Sequence, residues 1–464
     1  MPELVLNTRA ILIRECFKTN IIRRLLTLFF IVRAWQIVVS YYWYQGGLLN
    51  EEWVFTIIYM AVLSMMLISS KWYFPLLAAL IQYKFDDYYF CHTVGSNLFC
   101  FMALYFSLFE YGKSKYFSAD AEEVWLKYIN HRKYLLVAVW SILHLISVFN
   151  HLNEPVWREG RAAGLILTNA FISPFFEFFR NAGITDSVLS KILTYLFLIL
   201  QCLMLPLFIF KRTRFLFYLH LLVFCVVVTF LADTAFLAHA SWLLLFLLLP
   251  VFTFRHGKIY IVPSSIQWDK TPRLLNRTVV ALLGAFIIIH TPGVNVIAKK
   301  GIWLFREWDT YRYAERKLTM LGLTQLNVFN AYQIEKGDRW FCIYREQSDK
   351  KWELRPYVDR QGRKLHPGID WLHSTNHGSD FILYANTFQY ACGIEQVDYT
   401  NATTPDKLKG KVYERLVRYD FNRYSASDEQ QYKVEFMHIA NNTVLTDSFV
   451  YYKVSAQALK RTAP

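Results

Sequence analysis

Apolar residues run along the first 292 positions in stretches of about eighteen to twenty, the length that crosses a hydrocarbon core, with short polar turns between them. After residue 292 the pattern changes to a mixed one in which apolar and polar positions alternate over short runs. The first part predicts helices at 25–43, 53–69, 72–89, 91–111, 134–152, 191–210, 215–232, 238–254 and 279–291, about nine spans in all. Between 156 and 190 no run is long enough to span. Phe175, Phe176, Phe178 and Phe179 read there as interfacial or re-entrant. The second part predicts strands at 328–333, 340–345, 352–358, 432–439 and 444–454, a helical lead-in at 302–323 and a helix at 407–424. The fold class expected is therefore a polytopic α-helical membrane protein with a C-terminal extracytoplasmic α+β domain. Its parts are a basic amphipathic segment (1–24), a transmembrane domain (25–292) and the outer domain (293–464).

Composition supports the membrane reading. Apolar residues make up 55% of the chain, above the roughly 45–50% of soluble domains. The net charge of +14 would suit a nucleic-acid partner, but Lys and Arg cluster in short turns between apolar runs, so no nucleic acid is expected. Lys71, the loop at 112–133, Lys211 to Arg214, and Arg255 to Arg277 carry the basic residues, while Glu51 and Glu52 stand in a turn without any. That bias puts the N-terminus in the cytoplasm and the tail outside. Met1 to Asn20 is mixed polar with no small-residue cleavage site, so the first span is expected to act as the insertion signal. The seven cysteines include no Cys-x-x-Cys, and no metal site is expected. Cys342 and Cys392 lie in the tail, where an oxidising compartment would leave them free to pair. Asn401 and Asn441 each begin a glycosylation triplet, a pattern common by chance.

The chemistry-bearing residues gather at one depth. His144 and His151 are seven residues apart, two helical turns, so they share a face of the fifth helix, with His144 about 10 Å deeper. Asn153, Glu154 and Pro155 break that helix, and Trp157, Arg158, Glu159 and Gly160 form the turn after it. His92, His151, Glu159, Asp233 and His239 all fall near the outer ends of their helices. Taken singly, each is an ordinary headgroup-level polar residue. As a group they are candidates for acid–base work, with His151, His92 and His144 as catalytic candidates. Trp157, Arg158, Glu159, Asp233 and His239 are then the binding candidates. Arg33, inside the first span, is a functional candidate and equally an internal ion-pair anchor.

These residues also carry a resemblance. His92 through Lys115-Tyr116-Phe117-Ser118-Ala119-Asp120, then His151 to Gly160, Ile172-Ser173-Pro174, Lys211 to Arg214 and Leu323 to Phe329 follow one another in an order similar to the HTTM (horizontally transferred transmembrane) proteins. Those belong to the vitamin K-dependent gamma-carboxylase superfamily. The resemblance implies a membrane helical domain with its site at the outer side and a quinone-type lipid as a candidate cofactor. The sequence departs from the pattern where the carboxylase has its basic lysine, since His151 stands there, and imidazole is a much weaker base. Cys91 replaces an asparagine, and a late histidine is absent near Val228 and Thr229. Many members assist in making or maturing secreted peptides, the sporulation-delaying toxin system among them. The resemblance thus implies a bacterial inner-membrane protein acting in maturation, modification or export of a secreted or membrane-bound polypeptide, with membrane lipids and that polypeptide as partners. A lipid-quinone-dependent peptide-modifying enzyme and a non-catalytic membrane-anchored assembly protein are the alternatives.

Overall fold

The computed structural model describes residues 8–45, 50–88, 94–116, 122–249, 252–261, 339–361 and 416–462, with short gaps inside the last four stretches. The N-terminal part is helical: α1 (Thr8–Gln45), α2 (Asn50–Ile68), α3 (Tyr73–Tyr88), α4 (Val94–Tyr116) and α5 (Glu122–Leu152). Three short helices follow, α6 (Pro155–Arg158), α7 (Ala162–Thr168) and α8 (Phe176–Asn181). Then come α9 (Val188–Ile209), α10 (Arg214–Val226) and α11 (Ala235–Leu248). Each long helix packs on the next. α9 takes its place beside α5, and α11 closes the arrangement against α1 and α4.

Local chemistry sets several of these boundaries. Ser187 caps α9 by accepting from the Ser190 N–H at 3.2 Å. Pro206 lies inside α9 and removes one ladder bond shortly before the helix stops. α10 loosens into a π turn at Val227–Leu231. There the Thr229 hydroxyl donates to the Cys225 carbonyl at 2.6 Å and accepts from the Trp242 indole N–H at 2.9 Å. Back-bonding of a threonine hydroxyl to the i−4 carbonyl in this way slightly destabilises and bends a helix.

The helices are apolar on both faces. Val188, Ile192 and Leu196 recur every four residues along the outside of α9, and Phe215 and Leu219 do so on α10; Val188 and Phe215 are each 73% exposed. A helix apolar all round suits lipid better than water. Among the described residues two helical segments, Glu51–Ile68 and Arg214–Leu231, are long and apolar enough to cross a bilayer, and Tyr73–Gln82, Val188–Met204 and Leu237–Leu248 are shorter apolar helices. These segments point to a membrane protein.

Several expected boundaries move. Residues 8–24 of the basic segment and the span after them form one continuous helix of 38 residues, and its cations do not all face outward. Lys18 donates to the Leu249 carbonyl at the end of α11 (2.8 Å) and to Glu15 (3.0 Å), while Lys133 of α5 reaches Glu15 at 2.6 Å. Arg23 donates to the Ser69 carbonyl after α2 and to Asn20. Cations at helix C-termini satisfy the last carbonyls and the negative end of the dipole, so these two residues tie helix ends together. Much of the expected loop at 112–133 is helical, split between α4 and α5. Residues 252–254, expected in a helix, belong instead to the hairpin β1 (Phe252–Arg255) and β2 (Lys258–Ile261). The run at 279–291 and the lead-in at 302–323 lie outside the described residues.

The C-terminal part is an antiparallel sheet of β3 (Arg339–Glu346), β4 (Trp352–Leu354), β5 (Glu429–Ala440), β6 (Thr443–Ser455) and β7 (Leu459–Thr462), in the order β4-β3-β5-β6-β7. A helical segment over 416–424 contributes Leu416, Val417 and Tyr419 to the same core as Ile343, Tyr432 and Val434. Three expected strands appear as β3, β5 and β6; β7 is an addition. β4 covers the first three residues of the expected strand at 352–358, and the Arg355 N–H beyond it still donates to the Ile343 carbonyl of β3 at 2.8 Å. The expected strand at 328–333 lies outside the described residues. So do Cys392, Asn401 and Asn441; Cys342 is buried with its Sγ 3.3 Å from the Asp359 carbonyl.

Candidate functional site

The break after α5 builds the site. Pro155 occupies the first position of α6, where its missing N–H costs nothing, and the chain turns back toward α5. Trp157 thereby stacks on His151, ring centroids 3.8 Å apart and planes 21° apart. Phe197 of α9 lies beyond it at 6.1 Å. Val148, Val156, Ala162 and Leu198 complete this apolar cluster. His151 is wholly buried. Its Nε2 is 3.0 Å from the Ser147 hydroxyl one turn earlier, and its Nδ1 has no partner among the described residues.

Two hydroxyls of α9 hold the turn. Ser190 and Thr194 both donate to the Gly160 carbonyl at 3.1 Å. The same oxygens accept from the Gly164 and Ala163 N–H groups at 2.9 Å. Tyr195 donates to the Arg158 carbonyl at 2.6 Å. Gly160 has φ +77°, a conformation costly for other residues. A Cβ on Gly164 would lie 2.6 Å from the Thr185 carbonyl oxygen, so glycine permits α7 to approach the turn before α9.

One level deeper, His144 meets the edges of Trp140 (4.7 Å between centroids) and Phe224 of α10 (5.1 Å). His220 of α10 is close enough for the two imidazoles to interact electrostatically. The His144 Nε2 and both nitrogens of His220 have no partner among the described residues.

The structure thus joins His151 with Trp157 and buries His144 on the same helix. It does not bring the other described candidates to them. Arg158 and Glu159, the binding candidates next in the chain, are exposed, and Glu159 pairs with Arg161 at 2.8 Å. They follow Trp157 in a tight turn, which directs them away from the ring it buries. His239 stacks on Phe29 of α1 at 4.9 Å. Arg33 is buried over the Phe30 ring, 5.6 Å from its centroid. His92 and Asp233 lie outside the described residues. Among the described residues no three His, Cys, Asp or Glu side chains gather as a metal would need. The sequence reading missed Ser147, Ser190, Thr194 and His220. Ser147 was legible, since it sits at helical spacing between His144 and His151; His220 was not, because its partner is on another helix.

Compared with models of known protein families, with curated proteins and with solved structures, the chain matches none.

Proposed function

We propose that this chain is a multi-pass inner-membrane protein of HTTM-like build that acts in the maturation, modification or export of a secreted or membrane-bound polypeptide. The observation that carries the reading is the buried His151–Trp157 stack at the break after α5. It lies in the stretch that bears the resemblance, and a buried imidazole in an apolar helical domain is costly unless it has a use. In this reading about nine spans leave the N-terminus in the cytoplasm and the tail outside. A quinone-type lipid does not fit against His151: Trp157 covers its ring face, Ser147 engages Nε2 and none of the side chain is exposed. No step of the proposed function runs through such a group, and no observation favours the quinone-dependent alternative.

Two measurements test the proposal. In the host, His151→Ala should abolish the secreted product that a deletion strain also loses, while the variant remains in the membrane at wild-type abundance. Mass spectrometry of the secreted polypeptides reads the outcome; a profile matching the wild type would remove His151 from the function. Orientation is read separately. Ser348 lies on an exposed turn of the tail, so Ser348→Cys should react with a membrane-impermeant maleimide in intact inner-membrane spheroplasts. Reaction only after the membrane is opened would reverse the topology.

A further inference from the structure

The α5 face that carries His151 is polar over a longer stretch than the two histidines. Ser141, His144, Ser147 and His151 follow at spacings of three, three and four, which keeps them within about a third of the helix circumference. All four are more than nine-tenths buried. α9 runs antiparallel to α5: Tyr134 stacks on Phe208 near one end, and Val148 shares a cluster with Leu198 near the other. That register sets Gln201, also buried, one turn inward of Leu198 and level with His144. α10 adds His220, one turn inward of Phe224, which touches His144.

Five of these six side chains leave a nitrogen or oxygen without a partner among the described residues: Ser141 Oγ, His144 Nε2, His151 Nδ1, Gln201 Oε1 and both nitrogens of His220. Each such group, if dry, has given up its hydration with no hydrogen bond in return. Six orphaned atoms along one strip would be a large penalty if the strip were dry; elsewhere Thr19, Tyr105 and Ser241 also leave a buried hydroxyl without a partner among the described residues, while Ser190 and Thr194 are satisfied. A buried water needs two to four polar partners, and this strip offers them in series.

We infer that Ser141, His144, Ser147, His151, Gln201 and His220 line an internal water track, extending roughly 15 Å along α5 by helical rise, that connects the middle of the helical domain to the His151–Trp157 stack. The ligand is water, and the track gives the buried Nδ1 of His151 a means of exchanging a proton. The link to His151 rests on the function proposed above; the track itself does not.

Cysteine accessibility tests it in the full-length protein in native membranes. Ser141→Cys and Ser147→Cys exchange one small side chain for another, and Leu196→Cys places a thiol on the exposed apolar face of α9. Peptide-resolved mass spectrometry after treatment with methanethiosulfonate ethylammonium reads each thiol apart from the native cysteines. Thiolate reacts and apolar surroundings suppress it, so both serine positions should react at least about tenfold faster than position 196. Size-exclusion profiles check that each variant keeps its fold. Serine positions as inert as position 196 mean a dry strip and overturn the track, whatever His151→Ala does. Reactive serine positions together with a functional His151→Ala retain the track and remove the proposed role of His151.

Discussion

Asp420→Ala unfolds the C-terminal sheet domain at denaturant concentrations that leave the wild type intact. Asp420 is wholly buried and accepts from Arg355 Nε at 2.8 Å, from the Tyr357 hydroxyl at 2.9 Å and from the Tyr432 hydroxyl at 2.9 Å. Burial alone would lower the pKa of Arg355, but the Asp420 carboxylate outweighs it and holds the guanidinium above its ordinary value. Burial and then Asp420 push the Tyr432 hydroxyl upward, so it stays a neutral donor. Removing the carboxylate strands a guanidinium and two hydroxyls, and breaking a buried pair from one side costs about 3–5 kcal/mol. Glu353 still reaches Arg355 at 3.2 Å, which keeps the loss toward the lower end. Asp420→Asn retains an acceptor and loses less. Proteolysis of the tail in intact protein across a urea series measures the effect. Equal midpoints for wild type and Asp420→Ala would show that the network contributes nothing to stability.

Glu15→Gln should cost a similar amount in the helical part, with a characteristic dependence on pH. Glu15 lies before the first span, buried between Lys18 and Lys133. Burial alone would raise its carboxyl, but Lys133 and then Lys18 outweigh it and hold it below the usual range. A depressed acid stabilises above its ordinary pKa, and that contribution disappears as pH falls through the folded value. Lys18 behaves differently. Burial and Lys133 lower it to about 8, against the partial opposition of Glu15. A base with a depressed folded pKa binds fewer protons in the native state than in the unfolded one, so its burial penalty is relieved as pH rises from about 8 toward 10.5. Without Glu15 the ammonium loses its counter-charge, and deprotonation becomes the way to bury it. The deficit of Glu15→Gln is thus expected to shrink between roughly pH 6 and pH 9.5. Thermal scans of detergent-solubilised protein at both values measure it, and a deficit that stays constant would exclude Lys18 as its source.

The two networks differ in how far they could be foreseen. Glu15, Lys18 and Lys133 are visible as charges beside apolar runs, which invites the reading of a lipid-facing basic segment. Only the packing of α1 against α5 and α11 turns Lys18 inward to the Leu249 carbonyl. Asp420 gives no sequence signal, since its three donors are 12 to 65 positions away.

What the sequence by itself determined is what depends on nearby residues. Apolar runs and their polar turns located most of the helices, and alternation located β3, β5 and β6. Pro155 ended α5, and the spacing of His144 and His151 put both on one buried face. These follow from backbone periodicity and from groups within a few turns of one another. The tertiary structure decided what faces that surface. It brought Trp157 onto His151, set Ser190 and Thr194 beneath Gly160, and carried His220 to His144 while leaving Glu159 outside. Each of those contacts closes a loop between separate elements, and the geometry of such a contact belongs to the packing of whole helices, which no local run of residues specifies.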